Sequence, residues 1–170
     1  MNVTIKKLQQ KQLNKDLELI STIVLNQFNL TEQLMNETCR DAVCKQIAEN
    51  KTAIDNLKVL ITKKLSTMII LFTPKATELR EIVSCHETIF FLERIDDMLV
   101  DIVNCLKKIE IGSPEYAEFK SHLKKIFASL KKMISASAFS FFKKDKFQAC
   151  QIIEKEYDIE KRCREIDENL

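Results

Sequence analysis

Glycine occurs once in this chain, proline twice and tryptophan not at all. Sheet hairpins, phosphate-cradling loops and long irregular connections draw on glycine for positive φ and on proline for fixed turns. A chain with so little of either has few places to turn. Walker, Rossmann and nucleophile-elbow patterns, which need several glycines, do not occur. Histidine is nearly as scarce. His86 and His122 are too few for a histidine-rich metal site and argue against a Ser-His-Asp triad; both are expected to be partly buried structural residues. The most apolar run, Met68 to Phe72, is far too short to span a bilayer. The N-terminus, Met1-Asn2-Val3-Thr4-Ile5-Lys6-Lys7, has no apolar signal segment, which predicts a cytoplasmic protein with no membrane insertion.

Charge of one sign is also lacking. The formal net charge is +2, and only five of the basic residues are arginine, Arg40, Arg80, Arg94, Arg162 and Arg164. Neither the balance nor the arginine content suits a nucleic-acid partner. The six cysteines, Cys39, Cys44, Cys85, Cys105, Cys150 and Cys163, form no Cys-x-x-Cys pair and are read as free thiols packed as small hydrophobes. Cys85 and His86 are neighbours, so on a helix they point about 100° apart and make a poor catalytic or metal pair.

What is present is apolar and charged sequence in helical rhythm, 45% hydrophobic and 31% charged in 170 residues, enough for one domain with a real core. The few breaks cut the chain into five helices. Helix 1 runs from about Val3 to Met35 with a stripe of Leu13, Leu17, Ile20 and Val24. Thr38 is the expected cap of helix 2, about Cys39 to Phe72, whose stripe is Val43, Ile47, Ile54, Leu57, Ile61, Leu65 and Met68. Thr73-Pro74 ends it, with Thr73 read as the cap and Pro74 as the opening of helix 3, which extends to about Ile111. Gly112-Ser113-Pro114 is the strongest break. Helix 4 then carries Tyr116, Phe119, Leu123, Ile126, Leu130, Met133 and Ala136, and Asp145 with Gln148 opens helix 5 toward Leu170. Helices 2 and 3, each roughly 50 Å long and joined by a tight turn, are expected to lie antiparallel in an all-α bundle.

One segment of helix 3 carries chemistry. Glu93, Asp97 and Asp101 are spaced i, i+4, i+8, which stacks three carboxylates on one face. The apolar stripe Leu92, Ile95, Leu99, Ile102, Leu106 and Ile109 faces nearly the other way. The acids continue the line of Leu79, Val83, His86 and Phe90, which suggests they are turned from bulk water. Antiparallel helices meeting at residues 73–74 bring level those positions whose numbers sum to about 147, so Asp55 falls beside Glu93. Two readings stay open: a solvated acidic face partnered by Arg94 and nearby lysines, or oxygen ligands for a hard cation. The lysine pairs of helix 4 read as a solvated face.

The stretches Ala76-Thr77-Glu78-Leu79-Arg80-Glu81-Ile82 and Phe91-Leu92-Glu93-Arg94-Ile95-Asp96-Asp97 resemble the PhoU family of phosphate-uptake regulators, with Asp96 where that family usually has glycine. Ile47 to Leu57, containing Ile54-Asp55, is similar to the family's second-helix segment. The resemblance implies two three-helix repeats, here residues 1–111 and a partial second repeat, 114–170. Gln151 to Glu160 echoes Gln46 to Asp55, and the chain then stops where a third helix would follow. It also implies metal (iron, manganese or zinc) held by acidic pairs. Glu93 with Asp97 fits that pattern, Asp101 stands at a position that is usually asparagine, and Asp55 is left alone because Lys51 replaces its partner acid. Glu156 with Glu160 fits in spacing in the second repeat. In function the resemblance implies a non-enzymatic regulator, peripheral to the inner membrane, that contacts a phosphate transporter and its sensor kinase. Two rivals remain: the soluble C-terminal domain of a sodium–phosphate symporter, and a helical dimerisation module using the open face of the second repeat to form a homodimer.

Overall fold

In a computed structural model, which describes residues 2–36, 41–109 and 114–167, the chain forms five helices and, among those residues, no strand. They are α1 (Asn2–Leu34), α2 (Asp41–Phe72), α3 (Ala76–Leu106), α4 (Pro114–Lys143) and α5 (Lys146–Asp167). The all-α architecture expected from the sparse breakers is what forms. Thr38, Gly112 and Ser113, assigned to turns, lie outside the described residues, while Pro114 is the first residue of α4, where its fixed φ and missing N–H cost nothing.

The 3–4 spacing of the apolar residues decides the packing. Leu13, Leu17, Ile20 and Val24 of α1 are all buried, and α2 turns Ile47, Ile54, Ile61, Leu65 and Met68 inward. Along α3 the buried positions are Ile82, Cys85, Ile89, Leu92, Asp96, Leu99, Val103 and Leu106, an unbroken alternation of three and four. The seam expected on this helix is thus half right: Leu92, Leu99 and Leu106 are in it, but Ile95, Ile102 and Ile109 are only partly buried beside it. Cross-helix bonds fix the directions. Asp16 meets Lys64, and Gln27 meets Ile47, so α1 and α2 are antiparallel; Lys6 meets Glu78 and Gln10 meets Glu81, so α1 and α3 run the same way.

The second half attaches through α4. The Tyr116 hydroxyl donates to the Met35 carbonyl at 3.1 Å, and Phe127 packs edge-on against Phe28 with ring centroids 5.5 Å apart. Phe127 is buried although the stripe read from the sequence omits it. Among the described residues α5 packs on α4 alone, which leaves Phe147, Ile153 and Tyr157 exposed.

The turns are simpler than expected in one place and better built in another. Thr73 does not cap α3. It has φ 40°, in the left-handed region, and its N–H still bonds back to Ile69 at 3.3 Å, so it closes α2. The residue that opens α3 is Lys75, whose N–H donates to Glu78 Oε2 at 3.2 Å. A β-branched residue at positive φ is strained. Thr73→Gly is therefore expected to stabilise the protein by about 0.5–1 kcal/mol after the entropy glycine adds to the unfolded chain, measured by urea denaturation. Unchanged or lower stability would show that the threonine is not strained there. At the far end Lys144, at φ 54°, completes a Schellman motif: its N–H bonds to Phe141 at 3.2 Å and that of Asp145 to Ser140 at 2.9 Å. Asp145 then caps α5, as its spacing predicts, by accepting the Gln148 N–H at 3.0 Å.

The described cysteines, Cys44, Cys85, Cys105, Cys150 and Cys163, are free thiols. Burial pushes the Cys85 thiol up to about 11, with Glu81 adding to the shift, so at pH 8 it is neutral as well as covered. Cys105 and Cys150 are exposed. Among these five described cysteines, a disulfide reagent at pH 8, followed by peptide mapping, is expected to modify Cys105 and Cys150 first and Cys85 only after unfolding. Equal labelling rates would contradict this packing.

Candidate functional site

The middle of the three-helix bundle α1–α3 is polar where its neighbours are apolar. Asp96 occupies a seam position of α3 and has no exposed surface. A buried carboxylate needs partners, and α1 supplies one. Gln27, also fully buried, donates from Nε2 to Asp96 Oδ1 at 2.8 Å and to the Ile47 carbonyl of α2 at 3.2 Å. Its Oε1 accepts from Asn50 Nδ2 at 3.1 Å. Both amide hydrogens and the carbonyl are engaged, so one side chain links all three helices. The other carboxylate oxygen, Asp96 Oδ2, is buried without a hydrogen bond. Loss of hydration raises the Asp96 pKa above the usual carboxylate range; Asp97 and Asp55 push the same way, against Gln27 and Lys51.

Outside this network sit three of the acids singled out in the sequence, Asp55, Asp97 and Glu93, each facing a lysine of α2. Lys51 Nζ lies 2.6 Å from Asp55 Oδ1, 2.7 Å from Asp97 Oδ1 and 3.9 Å from Asp96 Oδ2. Lys58 Nζ lies 2.6 Å from Glu93 Oε1 and 5.8 Å from the centre of the Phe90 ring. Burial alone would lower the Lys51 pKa, but hydrogen bonds to Asp55 and Asp97 and their charges outweigh it, and the ammonium is held well above its ordinary value. The pairs 51 with 96 and 58 with 90 sum to 147 and 148, so the antiparallel register read from the turn is the one that forms.

The structure thus brings Asp55 and Asp97 together, through Lys51, and places Glu93 one turn away on Lys58. Asp101 is exposed further along α3. The acids do not turn from solvent as a group: the Asp97 side chain is 50% exposed and that of Glu93 17%, and the line they continue, Leu79, Val83, His86 and Phe90, is itself exposed. His86 and His122 are exposed as well, so neither is the partly buried residue expected. In α5, Glu156 and Glu160 are exposed, and Glu160 pairs with Arg164 at 3.9 Å. Among the described residues no three His, Cys, Asp or Glu side chains are arranged to hold a metal ion. At the Asp55–Asp97 cluster the donor set as it stands does not fit one, because the lysine ammonium lies between the carboxylates. Asp96 and Gln27 were missed by the sequence reading. The signal for Asp96 was available, since the three-and-four alternation from Ile82 to Leu106 passes through it.

Similarity to known proteins bears on the same region. A family model described as PhoU domain matches residues 8–106, the span of α1 to α3. Over 168 residues the chain is 26% identical to the Phosphate-specific transport system accessory protein PhoU homolog of Aquifex aeolicus (strain VF5), covering 94% of this chain and 74% of that protein. No solved structure matches the chain significantly. Among the described residues no helix is long and apolar enough to cross a membrane. With the family model covering more than half of its length, and the helical bundle it describes present, the chain belongs to the PhoU family.

Proposed function

We propose that this protein is a non-enzymatic regulator of phosphate transport that acts in the cytoplasm by contact with a phosphate transporter and its sensor kinase. The observation that carries the reading is the family match over the α1–α3 bundle, supported by a relative described as an accessory protein of a phosphate-specific transport system. The surface suits contact better than catalysis. Leu79, Val83 and Phe90 form an exposed apolar line on α3, and exposed lines of this kind mark interfaces. Deleting the gene in its host, then following phosphate uptake and a phosphate-starvation reporter at high and low phosphate, tests the reading. Loss of the response to external phosphate is the expected result; an unchanged response in both readouts would exclude the role.

The open face of α5 favours a second activity, self-association. Phe147, Ile153 and Tyr157 are each at least 66% exposed on a helix packed only on α4 among the described residues. Sedimentation at high concentration would separate the two states: a dimer lost in a Phe147→Glu variant supports the homodimer, and a strict monomer removes it.

A further inference from the structure

The acidic cluster between α2 and α3 is a cation site by its chemistry, and the cation it holds is covalent. Three carboxylates, those of Asp55, Asp96 and Asp97, converge on one point, and that point is Lys51 Nζ, at 2.6, 3.9 and 2.7 Å. Asp96 Oδ2, buried and without a hydrogen bond, is the oxygen on that side. Such an oxygen, with no exposed surface and aimed at a positive charge, is what an ion-binding pocket presents to its ion. The Lys51 side chain is only 25% exposed, and its head lies within hydrogen-bond distance of Asp55 and Asp97.

We infer that Lys51 is a tethered cation that stands in for a divalent ion at the Asp55–Asp96–Asp97 cluster, and that this half of the protein folds without a metal ion there. An ammonium and a metal compete for the same oxygens. The tethered group arrives at high effective concentration because its helix is already in place, so a free ion gains little by displacing it. Removing the ammonium leaves three carboxylates that repel one another; as they stand they are not arranged to hold a metal ion, and a hard cation would have to draw Asp96 Oδ2 in from the 3.9 Å at which it faces Lys51 Nζ. The inference concerns this cluster only and stands or falls apart from the phosphate-transport reading.

The test compares the full chain with Lys51→Met and Lys51→Glu variants, by thermal melting and by titration with manganese as the probe. The wild type is expected to take up no manganese at this cluster and to melt at the same temperature with or without it. Lys51→Met is expected to melt lower in chelator and to rise by about 5–10 °C with manganese at roughly a hundred-fold above its dissociation constant. Lys51→Glu, which adds a fourth carboxylate, is expected to bind the ion more tightly than Lys51→Met. Stoichiometric manganese uptake by the wild type that is lost in Asp97→Asn would overturn the inference. So would a Lys51→Met protein that melts like the wild type and gains nothing from manganese.

Discussion

Replacing Gln27 by leucine is expected to lower the stability of the protein by about 3 kcal/mol, seen as a fall of roughly 6–12 °C in melting temperature. The size of the change comes from what the glutamine leaves behind. Its amide is the hydrogen-bond donor to Asp96, whose other oxygen already lacks one. Leucine fills the volume but donates nothing, so a carboxyl group with no exposed surface loses the one hydrogen bond it has among the described residues. Asn50 loses its acceptor as well, although it is only partly buried and water can replace the bond. A double variant, Gln27→Leu with Asp96→Leu, separates this account from simple mispacking. Removing both partners together leaves no orphaned charge, and the pair should recover at least 1 kcal/mol relative to the sum of the single changes. Strictly additive losses would mean that the two side chains do not depend on each other.

The second large effect is expected in the apolar layer further along α2. Ile61 has no exposed surface and stands in the core cluster with Leu13, Leu17 and Leu65. Ile61→Ala removes three carbon atoms from packing that cannot collapse freely between rigid helices, and should cost about 3 kcal/mol. Ile70, nine residues on and 76% exposed, is the control. Its alanine variant should change stability by no more than about 0.5 kcal/mol. Urea denaturation of both variants measures the contrast. Similar losses at the two sites would mean that α2 buries a different face, by packing on a partner or by a rotation of the helix.

These expectations show which parts of the fold the sequence carries openly. Where a single apolar stripe turns into the bundle, as at Leu13, Leu17, Ile20 and Val24, spacing alone identifies the buried face. The antiparallel register of α2 and α3 was legible from the position of a single turn. In α3 the apolar residues are numerous enough to support two overlapping stripes. The one chosen from the sequence keeps to apolar residues, whereas the actual seam runs through Asp96. An aspartate at a core position is intelligible only once Gln27 is known to lie opposite it, and no local pattern links residues 69 positions apart. The end of α3 was placed too late, since periodicity continues to Ile109 while the helix closes at Leu106.

The site was legible in part for the same reason. Spacing placed Glu93 and Asp97 on one face, and the turn placed Asp55 near them, but the lysines that decide the electrostatics sit on another helix. Lys51 was visible only as a departure from an acidic pattern. That its ammonium reaches two carboxylates at 2.6 and 2.7 Å depends on the angle at which α2 and α3 face each other, which spacing does not specify.

The proposed role rests on contact with a phosphate transporter. Its most direct test is affinity purification of that transporter from the host in mild detergent, with the wild-type chain and a Leu79→Glu/Val83→Glu variant compared. The account predicts that wild type co-purifies with the transporter and that the variant, folded to the same melting temperature, does not. A transporter recovered without the wild-type chain, under conditions that retain its other subunits, would contradict it.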